Sequence, residues 1–391
     1  MGIKGLMKLL QEEAPSCIKE VEKMSALAGH TVAIDASMAL YQFLIAIRSA
    51  DGSGGAAQAL TNADGEVTSH LQGMFSRTIR MMENGLKPLY VFDGKPPVMK
   101  SGELAKRSDR RVEAQNALEE ATEKGITEDI DRFNKRLVRA TPQHNEDCKE
   151  LLRLMGVPHL TAPCEAEASC AALAKGGRVY AAGTEDMDAL TFGVPVLYRR
   201  LTVSPAKKVP ILEIRLERAL HEMELSHDQF VDLCILCGCD YCDSIRGVGP
   251  KKAYAGIKEH KSIENFIEAL QKVKSKGVVI PEEWLGDNPI YKNAREMFLK
   301  PEVVNAEEAE IKWRDPQETE LLDFLVKKHG FQEDRVLSAI TRLKKSKSTQ
   351  SQKRLDSFFT VLPSAGKTAK KRTASVVAKK GKKAPAKRGK Q

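Results

Sequence analysis

Acidic residues at the ends of apolar stretches are the part of this sequence with the clearest chemistry. Residues 32–34 lead into Asp35, and residues 89–92 lead into Asp93. Three more stretches lead to the other members of the set, which are Glu165, Glu167, Asp186, Asp188 and Asp240. A buried carboxylate costs free energy unless a positive charge compensates it, and strand ends in an open α/β sheet are common ligand sites. The pattern therefore predicts a cluster of carboxylates that holds cations.

The spacing of these acids indicates where they lie. Glu165 and Glu167 form an i, i+2 pair, as do Asp186 and Asp188. Because this spacing shares a face in extended chain but not in a helix, we expect each pair at a strand end or a helix-entry turn. Helix capping is an alternative for either pair alone, since carboxylates stabilise helix N-termini. It does not account for the three single acids of the set.

Oxygen ligands select hard cations such as Mg²⁺ or Mn²⁺ over zinc or copper. Two such ions about 3.5–4 Å apart can bridge a phosphodiester, ionise a water molecule and stabilise the leaving oxygen. Lys100 and Arg107 lie in a charged segment after Asp93, where they can neutralise charge that develops on the phosphate. The acids and the two cations together predict a site for phosphodiester hydrolysis.

Strand-like and helical patterns alternate around the acids, which predicts a mainly parallel sheet in an α/β fold. Residues 31–35, 89–93 and 179–182 are predicted strands. Residues 95–140 break the alternation with two charged, helical patterns, and they predict a helical insertion at the mouth of the sheet. For its second half, residues 126–137, a solvated hairpin without function is the alternative.

Two local motifs follow in the second half of the chain. Ser226 and Gln229 form a capping-box signature that opens a helix ending at Gly238. Gly247 and Gly249 then form a turn before a predicted helix that carries Lys251 and Lys252. Backbone N–H groups at a helix start suit phosphate oxygens, although an ordinary turn between two helices is equally compatible.

The charge of the chain is concentrated at its C-terminus. The net charge is +9, and residues 363–391 hold eleven Lys and Arg and no acids, so the rest of the chain carries −2. From Lys344 onward the composition predicts disorder. Basic runs such as residues 370–372 suit nuclear import or nucleic-acid contact, and improved solubility is the alternative.

Eight cysteines are present, four of them close together at Cys234, Cys237, Cys239 and Cys242. A single residue separates the two pairs, whereas zinc sites place a long loop between them. We interpret the four as part of a core helix end, with a thiolate metal site as the alternative. No apolar run approaches the ~18 residues of a membrane span, so we expect a soluble, intracellular protein without disulfides.

An aromatic pair, Phe358 and Phe359, lies in the otherwise polar C-terminal segment that begins at Lys344. Exposed aromatic residues in such a segment are typical of anchors that order in a groove of a partner. We therefore predict a docking peptide at residues 352–359.

Six motifs, in this order, resemble those of eukaryotic flap endonucleases, members of the XPG family of structure-specific 5′ nucleases. They are MGIKGL at 1–6, VAIDAS at 32–37, YVFDGKPP at 90–97, EAEA at 165–168, TEDMD at 184–188 and GVGPK at 247–251. The resemblance runs from residue 1 to about residue 342 and includes the peptide and the basic tail. The loop at residues 51–64 is longer than is typical of the family.

The resemblance implies a PIN-like α/β nuclease core with a mainly parallel sheet, a helical arch, a helix–two-turn–helix element and a disordered basic tail. It divides the chain into an N-terminal nuclease region at 1–111, an internal nuclease region at 129–260, a C-terminal helical part at 261–343 and a tail at 344–391.

It also implies roles for individual residues. The seven acids would hold two Mg²⁺, for which Mn²⁺ can substitute, and Lys100 and Arg107 would act on the scissile phosphate. K⁺ is a further ion that the resemblance suggests at the turn before Lys251. The implied DNA contacts are Tyr41, Arg48, Arg77, Glu165, Gly238, Asp240, Gly247, Gly249, Lys251 and Lys252. The implied clamp contacts are Gln352, Leu355, Phe358 and Phe359.

The implied activity is that of a 5′ flap endonuclease with 5′–3′ exonuclease activity in Okazaki fragment maturation and long-patch base excision repair. The implied partners are branched double-stranded DNA with a 5′ flap and the trimeric proliferating cell nuclear antigen, on which a monomer docks, with no membrane. The expected location is the nucleus, with the nucleolus and mitochondrion as further sites. The alternatives are a clamp-binding scaffold for branched DNA that does not cut, and a related 5′ exonuclease or bubble-cutting enzyme. The short spacer between Asp93 and Glu165 argues against the bubble-cutting enzyme.

Overall fold

The computed structural model describes residues 2–48, 68–203, 207–273 and 277–349. The predicted loop at residues 51–64, the predicted docking peptide at 352–359 and the basic tail lie outside the described residues. The predictions made for those segments therefore remain predictions.

A seven-stranded sheet with the order β1-β7-β6-β5-β2-β3-β4 lies at the centre of the described fold. Its strands are β1 (Ile18–Val21), β2 (Thr31–Asp35), β3 (Lys87–Phe92), β4 (His159–Thr161), β5 (Ala181–Gly183), β6 (Val196–Arg199) and β7 (Ile211–Arg215). The five strands from β6 to β4 are mutually parallel, and β7 pairs antiparallel with both β6 and β1. The prediction of a mainly parallel sheet is thus confirmed.

The middle residues of the central strands are apolar because both faces of these strands are covered. In β2, Ala33 packs into one core layer while Val32 and Ile34 pack into the other. The predicted strand at residues 31–35 is confirmed. The predicted strand at 179–182 is shorter and displaced, because only Ala181 to Gly183 align with β2 and β6. The short strands β1, β4, β6 and β7 were not predicted.

Fifteen α-helices lie within the described residues. They are α1 (Leu6–Glu13), α2 (Ala36–Arg48), α3 (Ser69–Glu83), α4 (Ser101–Glu123), α5 (Thr127–Arg136), α6 (Pro142–Leu154), α7 (Ala166–Lys175), α8 (Asp188–Thr191), α9 (Leu216–Met223), α10 (His227–Cys237), α11 (Pro250–His260), α12 (Ile263–Val273), α13 (Ile290–Leu299), α14 (Glu318–Leu322) and α15 (Glu333–Thr349). A π-helical segment, Asp323–Lys328, follows α14. None of the helices in the described ranges combines the length and the apolar composition needed to cross a bilayer.

Two apolar layers cover the sheet. One contains the buried residues of α1 and of α7 to α13, and the other those of α2, α3, α6, α14 and α15. Helices α4 and α5 belong to neither layer: Ala114 and Ala121 are the buried residues of α4, and most of its other side chains are exposed. The predicted helical insertion between Asp93 and Glu165 is therefore present, and we call α4 and α5 the arch.

Two predictions at helix ends had different outcomes. The capping box of α10 is confirmed, since Gln229 N donates to Ser226 Oγ at 3.2 Å and Ser226 N donates to Gln229 Oε1 at 2.9 Å. The prediction that order ends at Lys344 was wrong by six residues. Helix α15 continues to Thr349 because the helical repeat brings Leu343 and Ser346 into the core while Lys344 faces solvent.

Candidate active site

The acid-bearing segments meet at the carboxyl ends of the parallel strands. Asp35 is the last residue of β2, Asp93 follows β3, and Asp186 lies three residues beyond β5. Glu165 is the N-cap of α7, and Asp240 lies in the loop after α10. Because β3, β2 and β5 are adjacent and parallel, their ends open at one edge of the sheet. The predicted convergence of distant segments is present.

Three carboxylates lie closest together at this edge. One oxygen from each of Glu167, Asp186 and Asp188 falls within 4.8 Å of the others, and all three residues are buried. Backbone N–H groups contribute hydrogen bonds at two of the three positions. Asp188 N donates to Asp186 Oδ1 at 3.0 Å, and Asp186 N donates to Thr184 Oγ1 at 3.1 Å. We call Glu167, Asp186 and Asp188 the acid cluster.

Asp35 and Asp93 border the acid cluster. Asp35 accepts hydrogen bonds from Met38 N at 2.9 Å and from the Thr184 hydroxyl at 3.0 Å. Burial, and next the Asp93 carboxylate, raise the pKa of Asp35 to about 7. Asp93 is exposed and accepts from Ala166 N at 2.8 Å, which ties the end of β3 to the start of α7.

Glu165 and Asp240 connect the sheet edge to the arch. Lys100 Nζ donates to Glu165 Oε1 and lies 3.4 Å from Asp240 Oδ2, and Arg107 Nη2 donates to the same Asp240 oxygen at 2.6 Å. The hydroxyl of Tyr241, which is buried, donates to Glu165 Oε2. The two cations predicted from sequence therefore lie beside the acids.

The charge state of the site follows from these neighbours. Burial, and then the Asp35 carboxylate, raise the pKa of Glu167 well above its usual range. Burial, and then Asp186, do the same for the pKa of Asp188. Burial lowers the pKa of Lys100, but the carboxylates, Glu167 first, outweigh it, so the net shift is upward and Lys100 stays protonated. The carboxylates repel one another and would ionise together only with added positive charge.

The acid cluster fits a divalent metal ion on three observations. Its donors are all carboxylate oxygens, which favour hard cations. Their mutual repulsion disfavours the fully ionised state unless a cation is bound. Asp188 Oδ1 is buried and has no hydrogen-bond partner among the described residues, although buried acceptors are nearly always paired.

Gly2 closes one side of the acid cluster. A Cβ atom at this position would collide with Oδ1 of both Asp186 and Asp188, and the backbone has φ of 74°. Only glycine is compatible with this approach without displacing the carboxylates. The sequence motif at residues 1–6 contained Gly2, but the site prediction did not include it.

The predicted turn before Lys251 lies between α10 and α11. Gly247 has φ of 85°, and a Cβ there would collide with the carbonyl oxygen of Gly277. Gly249 is the N-cap of α11, and Lys251 and Lys252 are exposed in its first turn. Lys251 Nζ lies 2.8 Å from Glu12 Oε2. The turn therefore presents a helix N-terminus and two ammonium groups to solvent.

The remaining predicted DNA contacts lie on three other segments. Tyr41 is half-buried on α2, and Arg48 is the last residue of that helix, with its side chain outside the described part. Arg77 is half-buried on α3, and burial lowers the pKa of its guanidinium. Gly238 ends α10, and its carbonyl accepts from Lys4 N at 3.2 Å. No contact between these residues and the acid cluster is recorded in the described structure.

The four clustered cysteines do not form a common thiolate site. Cys234 and Cys237 are buried in the core layer of α10, and burial raises the pKa of both thiols. Cys239 and Cys242 lie beyond the helix with their sulfurs 3.8 Å apart. All eight cysteines, which fall within the described ranges, are free thiols. The interpretation as a core helix end holds for the first pair.

Sequence reasoning missed three residues that shape the site. They are Gly2, Thr184 and Tyr241. Gly2 and Thr184 each lie inside a quoted motif, so their position beside the acids was available as a signal. Tyr241 follows Asp240 directly, but nothing in the sequence indicated that its hydroxyl contacts Glu165.

Two family models match the chain. The XPG N-terminal domain matches residues 1–114, and the XPG I-region matches residues 156–240. Between them they contain the seven acids and both cations.

Curated relatives match over almost the whole chain. Flap endonuclease 1 of Phytophthora infestans is 90% identical and covers 100% of both chains. Flap endonuclease 1 of Nematostella vectensis is 58% identical over 93% of each chain.

Solved structures with a similar fold are also found. Flap endonuclease-1 from Methanococcus jannaschii is 30% identical with a TM-score of 0.64, covering 85% of this chain and 97% of that one. The catalytic core of Rad2 in complex with DNA substrate has a TM-score of 0.66 at 23% identity, covering 88% of this chain and 100% of that one, and supports the fold.

Proposed function

The chain belongs to the flap endonucleases of the XPG family, and from that premise we propose that it is a structure-specific nuclease that hydrolyses DNA at the base of 5′ flaps. The observation that carries the proposal is the convergence of Glu167, Asp186 and Asp188 beside Lys100 and Arg107. Buried acids next to positioned cations suit an enzyme that neutralises a phosphate diester, because both the metal ligands and the phosphate-binding charges are in place.

We propose Mg²⁺ as the cofactor, with Mn²⁺ as a substitute. Two ions would be held by the seven acids, with Glu167, Asp186 and Asp188 as the inner group. When bound, such ions supply Lewis acidity and lower the pKa of a water molecule.

The protein itself contributes position and charge. Lys100 and Arg107 would present an ammonium and a guanidinium group where the phosphate oxygens gain charge, and each contacts Glu165 or Asp240. The Tyr241 hydroxyl donates to Glu165 Oε2 and, with Lys100, orients that carboxylate. Gly2 brings the backbone directly against the Asp186 and Asp188 carboxylates, where a side chain would collide with them.

A cleavage assay on labelled duplexes tests the function. Flap, nicked and bubble substrates are incubated side by side with Mg²⁺, with Ca²⁺ and with a chelator. We expect cutting with Mg²⁺ at the base of the flap, weaker exonuclease action at the nick, and none with the chelator. Preference for the bubble would favour the bubble-cutting relative. Tight binding of the flap without cutting in any metal would favour the non-catalytic scaffold.

The turn at residues 247–252 is proposed to hold duplex DNA, with K⁺ as a candidate ion at its carbonyl groups. The exposed N-terminus of α11 and the ammonium groups of Lys251 and Lys252 support this role. Replacing both lysines with alanine is expected to weaken duplex binding similarly for all sequences. It should also reduce the slope of log affinity against log salt by about 1 to 2. An unchanged salt slope would contradict phosphate contact there.

We further propose that the enzyme acts in Okazaki fragment maturation and long-patch base excision repair, in the nucleus, as a monomer docked on proliferating cell nuclear antigen. The motif at Gln352, Leu355, Phe358 and Phe359 supports docking, and the basic tail supports import. Phe358→Ala with Phe359→Ala should abolish stimulation by the clamp and leave intrinsic cleavage unchanged. Equal loss of both would count against a separate docking peptide. A fluorescent fusion of the chain with and without residues 363–391 tests the location.

A further inference from the structure

A pair of thiols brackets two residues of the active site. Cys239 and Cys242 lie in the loop after α10 with their sulfurs 3.8 Å apart, and the two residues between them are Asp240 and Tyr241. Asp240 accepts from Arg107, and Tyr241 donates to Glu165. Asp240 and Tyr241, which lie between the two cysteines in the sequence, therefore each make a contact on which the proposed nuclease chemistry depends.

The two sulfurs of this pair already lie close together. A disulfide has a sulfur–sulfur distance of about 2.05 Å, so the two atoms must approach by about 1.8 Å. Cys239 is half-buried and Cys242 is almost fully buried, so Cys239 is the more exposed residue of the pair. The loop is not helical, so its backbone dihedrals are not constrained by a helical hydrogen-bond ladder.

Hydrogen bonds anchor both ends of the loop, so we expect closing a disulfide to move the middle of the loop. On one side the Gly238 carbonyl accepts from Lys4 N at 3.2 Å, and on the other the Asp243 carbonyl accepts from Trp284 Nε1 at 2.9 Å. Trp284 is buried and cannot easily follow the loop. An approach of the two sulfurs would therefore be taken up by Asp240 and Tyr241.

We propose that Cys239 and Cys242 form a reversible redox modification site that inactivates the enzyme when a peroxide oxidises the pair to a disulfide. The Cys239 sulfur attacks the O–O bond of the peroxide and becomes a sulfenic acid, and the leaving oxygen departs as water or an alcohol. The Cys242 sulfur then attacks the sulfenic sulfur, the S–S bond forms, the S–O bond breaks, and the hydroxide leaves as water with the thiol proton. Two thiols are oxidised and one peroxide is reduced. A dithiol reverses the reaction.

Closing the disulfide would move Asp240 and Tyr241 without removing either side chain. A displacement of about 1 Å at a reacting group costs up to about a hundredfold in rate, so we expect cleavage to fall about ten- to a hundredfold when the disulfide is closed. This inference rests on the proposed nuclease function for its activity readout, whereas the disulfide itself is measured separately.

The experiment treats the whole chain with hydrogen peroxide and then measures flap cleavage and, by alkylation and peptide mass spectrometry, the fraction of Cys239–Cys242 disulfide. We expect the fraction of activity lost to follow the fraction of disulfide, and dithiothreitol to restore both. Cys239→Ser and Cys242→Ser, each compared with its own untreated sample, should resist inactivation. Cys164→Ser is the matched control, because Cys164 is half-buried but pairs with the Glu302 carboxylate, and it should remain sensitive.

Several results would overturn the proposal. They are absence of the disulfide at peroxide concentrations that inactivate the enzyme, a disulfide that leaves cleavage unchanged, and inactivation that persists in both serine variants. If the serine variants do not fold, the correlation between disulfide and activity in the unmodified chain still decides the question. A reduced protein that never cuts DNA would instead contradict the proposed function and leave the disulfide measurement intact.

Discussion

The acid cluster and the arch lie side by side, but different forces hold them in place. Glu167, Asp186 and Asp188 are carried by segments packed into the core between the sheet and its helices, and the backbone N–H groups of Asp186 and Asp188 donate hydrogen bonds there. The arch has few buried side chains, and its start is attached to the site through the ion pairs of Lys100 and Arg107. One region is positioned by burial, the other by charge.

This difference bears on how the enzyme works. A buried, like-charged cluster cannot relax by moving into solvent, so it retains its shape at a cost in stability until cations bind. Helix α4 is mostly exposed, and the ion pairs at its start are formed by the largely buried Lys100 and the more exposed Arg107. The acid cluster is therefore held by the core, whereas the roles proposed for Lys100 and Arg107 require each of them to exchange a carboxylate partner for a phosphate.

The largest effect is expected at the acid cluster. Asp186→Ala should lower cleavage of a 5′ flap by about a thousandfold or more, equivalent to about 4 kcal/mol in the barrier, because it removes one of the ligands proposed for the metal ions. Binding of the flap duplex should persist, since that side chain is buried. Asp287→Ala, an exposed acid far along the chain, is the control and should cut normally. Unchanged cutting by Asp186→Ala would remove Asp186 from the mechanism.

A smaller effect is expected at the arch. Arg107→Ala should reduce the single-turnover rate about a hundredfold, because it removes one charge aimed at the site. Arg110→Ala is the matched control: Arg110 shares the Glu103 partner of Arg107 but does not reach Asp240, and its loss should cost less than about threefold. Equal losses in the two variants would mean that the arch acts through its overall charge rather than through one positioned group.

Tyr241 tests the connection between the two regions. Tyr241→Phe removes the hydrogen bond to Glu165 and should lower kcat about tenfold with little change in KM, and it should raise the Mg²⁺ concentration needed for half-maximal rate. Tyr254→Phe is the control, because its buried hydroxyl donates to the Met223 carbonyl at 3.1 Å, away from the acids. A rise in KM alone would place Tyr241 in substrate binding instead.

The smallest effect concerns the stability of the metal-free protein. The pKa of Asp35, about 7, lies above its value in the unfolded chain. Between those values the folded state binds more protons than the unfolded state, so this carboxyl stabilises the fold at low pH and its contribution is lost as pH rises through about 7. Asparagine imitates the protonated carboxyl.

Asp35→Asn should therefore raise the melting temperature by a small amount near pH 5 and by a few degrees more near pH 8, relative to the parent chain. Comparing the two proteins at each pH cancels groups that titrate in both, such as His70, whose pKa is lowered to about 4 by burial. A melting temperature difference that is the same at both pH values would show that Asp35 does not carry the pH dependence.

The site could be predicted from sequence to the extent that its residues sit in ordered motifs. Asp35 and Asp93 ended recognisable apolar strands, and the two acid pairs had a spacing that requires a strand end or helix entry. Lys100 and Arg107 followed from their place in a charged segment after Asp93. What could not be predicted was the pairing within the set: Glu167 joins Asp186 and Asp188, whereas Glu165 turns to the arch.

The strands and helices of the fold could also be predicted only in part. The strands β2 and β3 were predictable because a strand covered on both faces is a continuous apolar run. The strands β1, β4, β6 and β7 were not, since short segments acquire their conformation from the neighbour with which they pair. The extension of α15 to Thr349 was also missed, because a lysine-rich helix end is stabilised by a core contact that its composition does not reveal.

The sequence alone determined which kinds of atom are available at the site. These are carboxylate oxygens in five separated segments and the two cations that lie in the chain between Asp93 and Glu165. They could be identified because they depend only on residue type and on the order of the motifs. The tertiary structure decided which of those atoms meet, that Gly2 and Tyr241 take part, and that two thiols flank Asp240. Distances between segments far apart in the chain depend on how the sheet and its helices pack, and no local pattern encodes that packing.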